Sequence, residues 1–191
     1  ALPLLGASSA TTIAFLAACS PRDSAASSSS VQNQNSSVPL VLTTFTVIQD
    51  MASRVAGEFC QVESITKAGA EIHDYEPTPD DLKRAQKAQL ILNNGLGLER
   101  WFERFVDDSP AQRADLSEGI TAIPIAEGDY QGQANPHAWM SPANGKIYVE
   151  NIVRALSNLV PDHAKDFKAN GDAYKKELDN ISSHLIEELS T

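Results

Sequence analysis

Short apolar runs that alternate with helix-like segments restrict the fold of this sequence more than any other feature. Four runs are typical of buried strands, namely residues 40–44, 60–65, 90–93 and 120–125. Between the first three runs, and after the third, apolar residues recur at helical spacing, in segments 46–56, 78–88 and 98–106. Strands that alternate with helices in this way form a parallel sheet with helices on both faces. The sequence therefore predicts an α/β fold built on a parallel four-stranded sheet.

The composition is that of a folded, acidic protein. The chain has 191 residues, of which 42% are hydrophobic, and a formal net charge of -10. Binding to a nucleic-acid backbone needs a basic face, so we expect no nucleic-acid partner. A protein that works outside the cytoplasm, or one that binds cations, is compatible with this charge. An acidic surface with no functional meaning is the simpler alternative.

The beginning of the chain has the features of an export signal. A short apolar stretch ends in Leu16-Ala17-Ala18-Cys19, which resembles the bacterial lipobox, where a signal peptidase cuts before a cysteine that carries lipid. The stretch is too short to be a transmembrane helix. We expect residues 1–19 to be the remnant of a signal peptide with lipid attachment at Cys19, and the Ser-, Ala-, Asn- and Gln-rich residues 20–37 to be a flexible tether. The alternative is an Ala-rich leader with an incidental cysteine.

Two histidines lie in proline-bounded loops. His73 follows the second predicted strand and His137 follows the fourth. Ligands of open α/β sheets gather beyond the carboxyl ends of the strands, so we expect these two side chains to lie close together. Histidine in such a loop is typical of a metal ligand or a catalytic base. The alternatives are a solvent-exposed His73 and a His137 that packs beside Trp139.

The last part of the chain is predicted to be helical. One helix covers residues 143–160, and Pro161 separates it from a second pattern over 162–189 with a single apolar stripe. A helix of that length extends about 40 Å and carries more apolar surface than a small sheet domain needs. We expect residues 161–191 to be a connecting helix. The alternative is a terminal helix that docks on the sheet.

Four motifs carry a resemblance to a known family, and they occur in a specific order and spacing. The sequence from about residue 38 to 191 resembles the amino-terminal lobe of the metal-specific solute-binding proteins of bacterial ABC importers, the manganese, zinc and iron group. The motifs are Gly57-Glu58, the run from His73 to Asp80, the run from Asn94 to Trp101, and the run from Asn135 to Pro142.

The resemblance implies a particular domain organisation and site. Members of the family have two α/β lobes joined by a long helix, with the metal ion between the lobes. Residues 38–160 would then be the N-terminal metal-binding lobe and 161–191 the connecting helix, with the C-terminal lobe absent from this chain. His73 and His137 match the two histidine ligands of the first lobe. The remaining ligands, a Glu or a third His and then an Asp, are expected in the missing lobe.

The resemblance also implies a function. The chain is expected to capture a divalent metal ion outside the cytoplasm and deliver it to an ABC transporter permease, as a monomer held to the membrane by lipid, in the periplasm or at the cell surface. Mn²⁺ is favoured over Zn²⁺ or Fe²⁺, since residues 106–134 contain none of the histidines found in the zinc-specific branch. Carboxylate ligands also shift preference toward harder ions.

Three alternatives stay open from the residues alone. One is a zinc-specific member of the same family, and another is a surface lipoprotein that acts as an adhesin. The third is a zinc hydrolase that uses the two histidines with Asp74 or Glu76. The sequence contains no His-Glu-x-x-His helix and no nucleophile motif, so we expect a binding protein and not an enzyme.

Overall fold

The computed structural model describes residues 38–106 and 109–190. These residues all fall within a compact unit that spans 36–191. The predicted signal peptide, the lipid-attachment residue Cys19 and the tether at 20–37 lie outside the described residues.

A four-stranded sheet forms the centre of this unit, and all of its strand pairs are parallel. The strands lie in the order β2-β1-β3-β4. The strands and helices, in chain order, are β1 Leu40–Thr43, α1 Thr46–Ala56, β2 Gln61–Ser64, α2 Pro79–Lys87, β3 Leu90–Asn93, α3 Arg100–Val106, β4 Gln112–Asp115, α4 Pro142–Leu159 and α5 Ala164–Leu189. The predicted fold class, a parallel four-stranded sheet flanked by helices and followed by a long helix, is confirmed.

Alternating side chains of the central strands build one core on each face of the sheet. Val41 of β1 packs into the core that α1, α4 and α5 cover, whereas its neighbour Leu42 packs into the core beneath α2 and α3. Ile91 of β3 shares the second core with Phe102. Because successive strand residues point to opposite faces, an uninterrupted apolar run is what a strand covered on both sides requires.

The fourth strand is not where the sequence predicted it. The run at 120–125 is a loop, in which Ile123 is 77% exposed and Pro124 forms an isolated bridge with Ala134. The fourth strand is instead β4, which pairs with β3 and leaves three of its four residues exposed. An edge strand with a solvated surface needs no apolar run, so the hydrophobic pattern indicated the wrong segment.

Helices α4 and α5 pack closely against each other at a glycine. A Cβ atom on Gly171 would lie 2.5 Å from Val153 Cγ2 and 3.4 Å from Val149 Cγ1. On the same interface, a Cβ atom on Gly145 would lie 3.4 Å from Leu178 Cδ1, which is an ordinary contact. Gly171 therefore sets the spacing of the two helices.

We expect Gly171→Ala to lower the free energy of unfolding by about 1 to 2 kcal/mol. The new methyl group overpacks a β-branched side chain that has few rotamers, and this outweighs the gain of about 1 kcal/mol in helix propensity. Gly145→Ala is the matched control, because it gains the same propensity without the clash and should stabilise the protein. Urea unfolding of both variants measures the difference. Equal stabilisation by the two substitutions would contradict the close approach.

Helix α5 begins one short turn later than the sequence predicted, because Pro161–His163 forms a 3-10 turn before it. The part of α5 up to Leu178 packs against α1 and α4 through Phe167, Gly171 and Leu178. The rest of the predicted apolar stripe is exposed, namely Ile181, Leu185 and Leu189. In the described part of the chain, no helix has the length and apolar character needed to cross a bilayer.

Candidate metal centre

The two predicted histidines meet at the carboxyl edge of the sheet. His73 lies in the loop after β2, and His137 lies in the long loop after β4. Their Nε2 atoms are 3.3 Å apart, and their ring centroids are 5.2 Å apart. The sequence therefore predicted correctly that residues 64 positions apart come together.

The orientation of the His137 ring is set by Asn135. The Asn135 Oδ1 atom accepts a hydrogen bond from the His137 backbone N–H at 3.0 Å and lies 2.8 Å from His137 Nδ1. The Asn135 Oδ1 atom can only accept hydrogen bonds. The ring Nδ1 of His137 is therefore the donor and carries the proton. The lone pair of Nε2 is then left facing His73, as a metal-ligating imidazole requires. The ring also packs on Trp139, which in turn packs on Phe45.

The His73 loop is held by a tyrosine and a tryptophan, both of them partly buried. Trp101 Nε1 donates a hydrogen bond of 2.8 Å to the Ile72 carbonyl oxygen, immediately before His73. The Tyr75 ring lies edge-on against Trp101 with centroids 5.1 Å apart, and its hydroxyl donates to Asp81 Oδ2. These contacts fix the loop on both sides of His73.

The N-terminal end of α2 anchors the His73 loop. Thr78 caps the helix in a reciprocal capping box with Asp81, and Pro79 occupies the first turn, at the start of the helical segment predicted over 78–88. The Asp81 carboxylate also forms an ion pair with Arg84. Because Tyr75 hydrogen-bonds the same carboxylate, the cap of α2 is coupled directly to the His73 loop.

The two imidazoles have the spacing of two ligands of one ion. Two nitrogens bound at about 2.0–2.1 Å to a tetrahedral ion lie about 3.4 Å apart, close to the distance between the two Nε2 atoms. When His73 Nε2 carries a proton, it donates a hydrogen bond to His137 at this distance; when it does not, both lone pairs face the space in which an ion would bind. Within residues 38–106 and 109–190, no cluster of three or more His, Cys, Asp or Glu side chains could hold a metal ion. The described residues thus offer two ligands for such an ion.

The electrostatic environment keeps His137 ready to bind a cation. Burial lowers its pKa below the ordinary value, and the nearby His73 lowers the pKa further. Protonation of His137 at neutral pH is therefore disfavoured, and its lone pair is available. Asp74 and Glu76, which the hydrolase alternative needed, are exposed, and the acidic group that contacts the His73 backbone is Glu71.

A buried polar network beside the site was missed by the sequence analysis. Glu99 is 4% exposed and accepts hydrogen bonds from the Thr44 hydroxyl and from the backbone N–H groups of Asn94 and Gly95. The Asn94 side chain in turn donates to the carbonyl oxygen of Pro136, the residue before His137. The one signal in the sequence was an acidic residue at the start of a helix, directly after the glycine-rich turn at 94–97.

The fold and the site define a class of protein that is represented among solved structures. The manganese-bound periplasmic metal-binding protein from Candidatus Liberibacter asiaticus superposes with a TM-score of 0.69 and 35% sequence identity, over 74% of this chain and 53% of that chain. The described unit therefore has the fold of one lobe of a periplasmic metal-binding protein.

The sequence comparison identifies the family. The family model "ZnuA: Zinc-uptake complex component A periplasmic" matches residues 41–191, and the chain belongs to this family. The iron-binding protein YfeA of Yersinia pestis is 54% identical over 153 residues, which are 78% of this chain and 49% of YfeA. The manganese ABC transporter substrate-binding lipoprotein ScaA of Streptococcus gordonii is 32% identical over 92% of this chain and 57% of its own length.

These comparisons confirm the predicted family. The chain spans about half the length of the curated relatives it matches. The relatives are named as binding proteins, in agreement with the prediction of a binding protein and not an enzyme. Their names differ in the metal, since one is named for iron and another for manganese.

Proposed function

We propose that this chain supplies one wall of a divalent metal site in the substrate-binding protein of an ABC importer, with His73 and His137 as its two ligands. The observation that carries the proposal is the 3.3 Å distance between the two Nε2 atoms. In this proposal residues 38–160 are the metal-binding lobe and 161–191 connect it to a second lobe, which contributes a Glu or His and an Asp.

The metal is proposed to be Mn²⁺, with Fe²⁺ and Zn²⁺ as the competing ions. Two imidazoles with two carboxylates suit a harder ion than an all-nitrogen or thiolate site does. Intrinsic affinity increases from Mn²⁺ through Fe²⁺ toward Zn²⁺, so preference for manganese depends on geometry set by both lobes. The names of the relatives support a divalent transition metal, and they include both iron and manganese.

The proposed setting is the outer face of a membrane. Relatives such as ScaA are named lipoproteins of ABC transporters, which supports lipid attachment at Cys19 and delivery of the ion to a permease. The acidic net charge of -10 is compatible with capture of cations by a monomer of this kind.

Titration of the chain with Mn²⁺ tests the ligand assignment. Bound Mn²⁺ broadens nearby NMR signals, so small additions should first broaden the amide signals around His73 and His137. The combined substitution of His73→Ala and His137→Ala should abolish this selective broadening. His184→Ala is the matched control, because His184 is exposed on α5, and it should leave the broadening unchanged.

Two results would contradict the proposal. One is selective broadening at an acidic surface that survives the double substitution. The other concerns the shared site: with the two ligands that the described residues supply, the chain should bind Mn²⁺ far more weakly than the manganese-bound periplasmic protein from Candidatus Liberibacter asiaticus. Equally tight binding by this chain and by that protein, of which this chain covers 53%, in parallel calorimetric titrations would overturn the shared site. Parallel titrations with Fe²⁺ and Zn²⁺ test the metal preference.

A further inference from the structure

The turn between β3 and α3 is wound tightly around the carboxylate of Glu99. Gly95, Leu96 and Gly97 all have positive φ angles, of 82°, 56° and 77°. Leu96 is not a glycine, so its left-handed conformation is strained. The backbone N–H groups of Asn94 and Gly95 both point to the Glu99 carboxylate. The carboxylate therefore holds the turn in a conformation that it would not otherwise favour.

The same turn contacts the loop that carries His137. The Asn94 Nδ2 atom donates hydrogen bonds to the carbonyl oxygens of Gly95, at 2.8 Å, and of Pro136, at 3.0 Å. The Tyr148 hydroxyl of α4 donates to Asn94 Oδ1, which fixes the orientation of the amide. A continuous chain of buried hydrogen bonds thus runs from Glu99 through Asn94 to the residue before His137.

The surroundings of Glu99 make its ionisation unusual. Its hydrogen-bond partners are two backbone N–H groups and the Thr44 hydroxyl, which are all uncharged. The ionisable groups that face it from the packed elements are Asp115 at the end of β4, whose negative charge opposes ionisation, and Tyr148 of α4. On its own helix, Arg100 directs its guanidinium to Gly97. Burial is the main cause that raises the pKa of Glu99, to about 7.

We propose that Glu99 is a positioning residue for the His137 loop, that it acts through Asn94, and that its ionisation gives metal capture a pH dependence separate from that of the two histidines. The part that concerns metal capture rests on the proposed function. The ionised carboxylate accepts three donors at once. A protonated oxygen must itself donate, and the neighbouring Thr44, Asn94 and Gly95 groups already present donors. Protonation therefore releases part of the turn, and Asn94 and Pro136 move with it.

The coupling is tested without metal by NMR on the ¹⁵N-labelled chain, titrated from about pH 5 to about pH 9. In the wild type, the amide signals of Gly95 and His137 should share a transition near pH 7. Glu99→Gln should remove this transition from both signals. Glu103→Gln is the matched control, since Glu103 is an exposed glutamate on the same helix, and it should keep the transition.

A second variant keeps the test decisive if Glu99→Gln fails to fold. Tyr148→Phe removes the hydroxyl that orients Asn94 without a change in charge. It should shift the His137 amide signal at every pH and leave the Gly95 transition in place. The positioning role is overturned if the His137 amide titrates identically in the wild type and in the folded variants, because Glu99 would then support only its own turn.

The pH dependence of metal binding is tested by Mn²⁺ titrations of the wild type, Glu99→Gln and Glu103→Gln at about pH 6 and about pH 8. Glu99→Gln should bind about tenfold more weakly than the other two at the higher pH and equally at the lower pH. Equal affinities at both values would overturn the separate pH dependence. Failure of all three chains to bind metal would overturn the proposed function, whereas the metal-free NMR transition would still support the positioning role.

Discussion

Gly95→Ala is expected to destabilise the protein by about 4 kcal/mol. Gly95 has a φ of 82°, where a side chain strains the backbone. A Cβ atom there would also lie 2.6 Å from Ser117 Oγ and 3.2 Å from Asp115 Cβ, so the methyl group would have to displace the residues at the end of β4. Chemical denaturation followed by circular dichroism measures the loss.

Gly119→Ala separates these two causes. Gly119 has a nearly identical φ of 86°, but an added Cβ atom meets nothing within 4 Å. Gly119→Ala should therefore lower the free energy of unfolding only by the backbone strain, about 1 kcal/mol. If both substitutions cost the same, the turn after β3 does not pack against the end of β4 as described.

Asp81→Asn is expected to lower the free energy of unfolding by about 3 kcal/mol at neutral pH. Asp81 is 4% exposed, and its carboxylate accepts hydrogen bonds from Thr78 and Tyr75 while it pairs with Arg84. An amide in its place presents a donor to those hydroxyl and N–H groups and leaves Arg84 without its closest charge. Asp80→Asn, on an exposed neighbour, is the control and should change stability by less than about 0.5 kcal/mol.

The same pair of variants should show a specific pH dependence. Burial acts to raise the pKa of Asp81, but the hydrogen bonds from Thr78 and the contacts with Arg84 and Tyr75 outweigh it and hold the pKa below its ordinary value. A depressed pKa contributes stability that is present at neutral pH and lost as the pH falls through the folded value. The difference in the free energy of unfolding between Asp81→Asn and the wild type should therefore become smaller below about pH 4. A difference that stays constant down to acid unfolding would contradict this account.

The parts of the fold that could be predicted are those in which burial alone dictates the residue type. The strands β1 and β3 are covered on both faces, so each is an apolar run. The cap at Thr78 is recognisable because a helix start needs a side-chain acceptor. By contrast, the edge strand β4 is half solvated, and its polar residues are indistinguishable from a loop, which is why the fourth strand was misplaced.

The same distinction holds for the candidate site. The meeting of His73 and His137 follows from topology, since the loops after parallel strands share one edge of a sheet. Asn135, which orients His137, is only two residues away from it in the same sequence motif. Glu99 and Tyr148 could not be predicted, because each has a side-chain partner far away in the sequence: Thr44 lies 55 residues from Glu99, and Asn94 lies 54 residues from Tyr148. Buried polar networks depend on three-dimensional packing that a linear pattern does not contain.

Helix α5 is expected to differ in local stability along its length. Residues up to Leu178 are anchored by buried contacts, whereas Ile181 and the apolar residues after it are solvated. Amide hydrogen exchange should therefore differ along this one helix. The amides near Phe167 should exchange only when the whole core unfolds, whereas those near Ile186 should exchange by local fraying of the helix. The part of α5 after Leu178 can therefore unwind locally without loss of the buried contacts that hold the part before it.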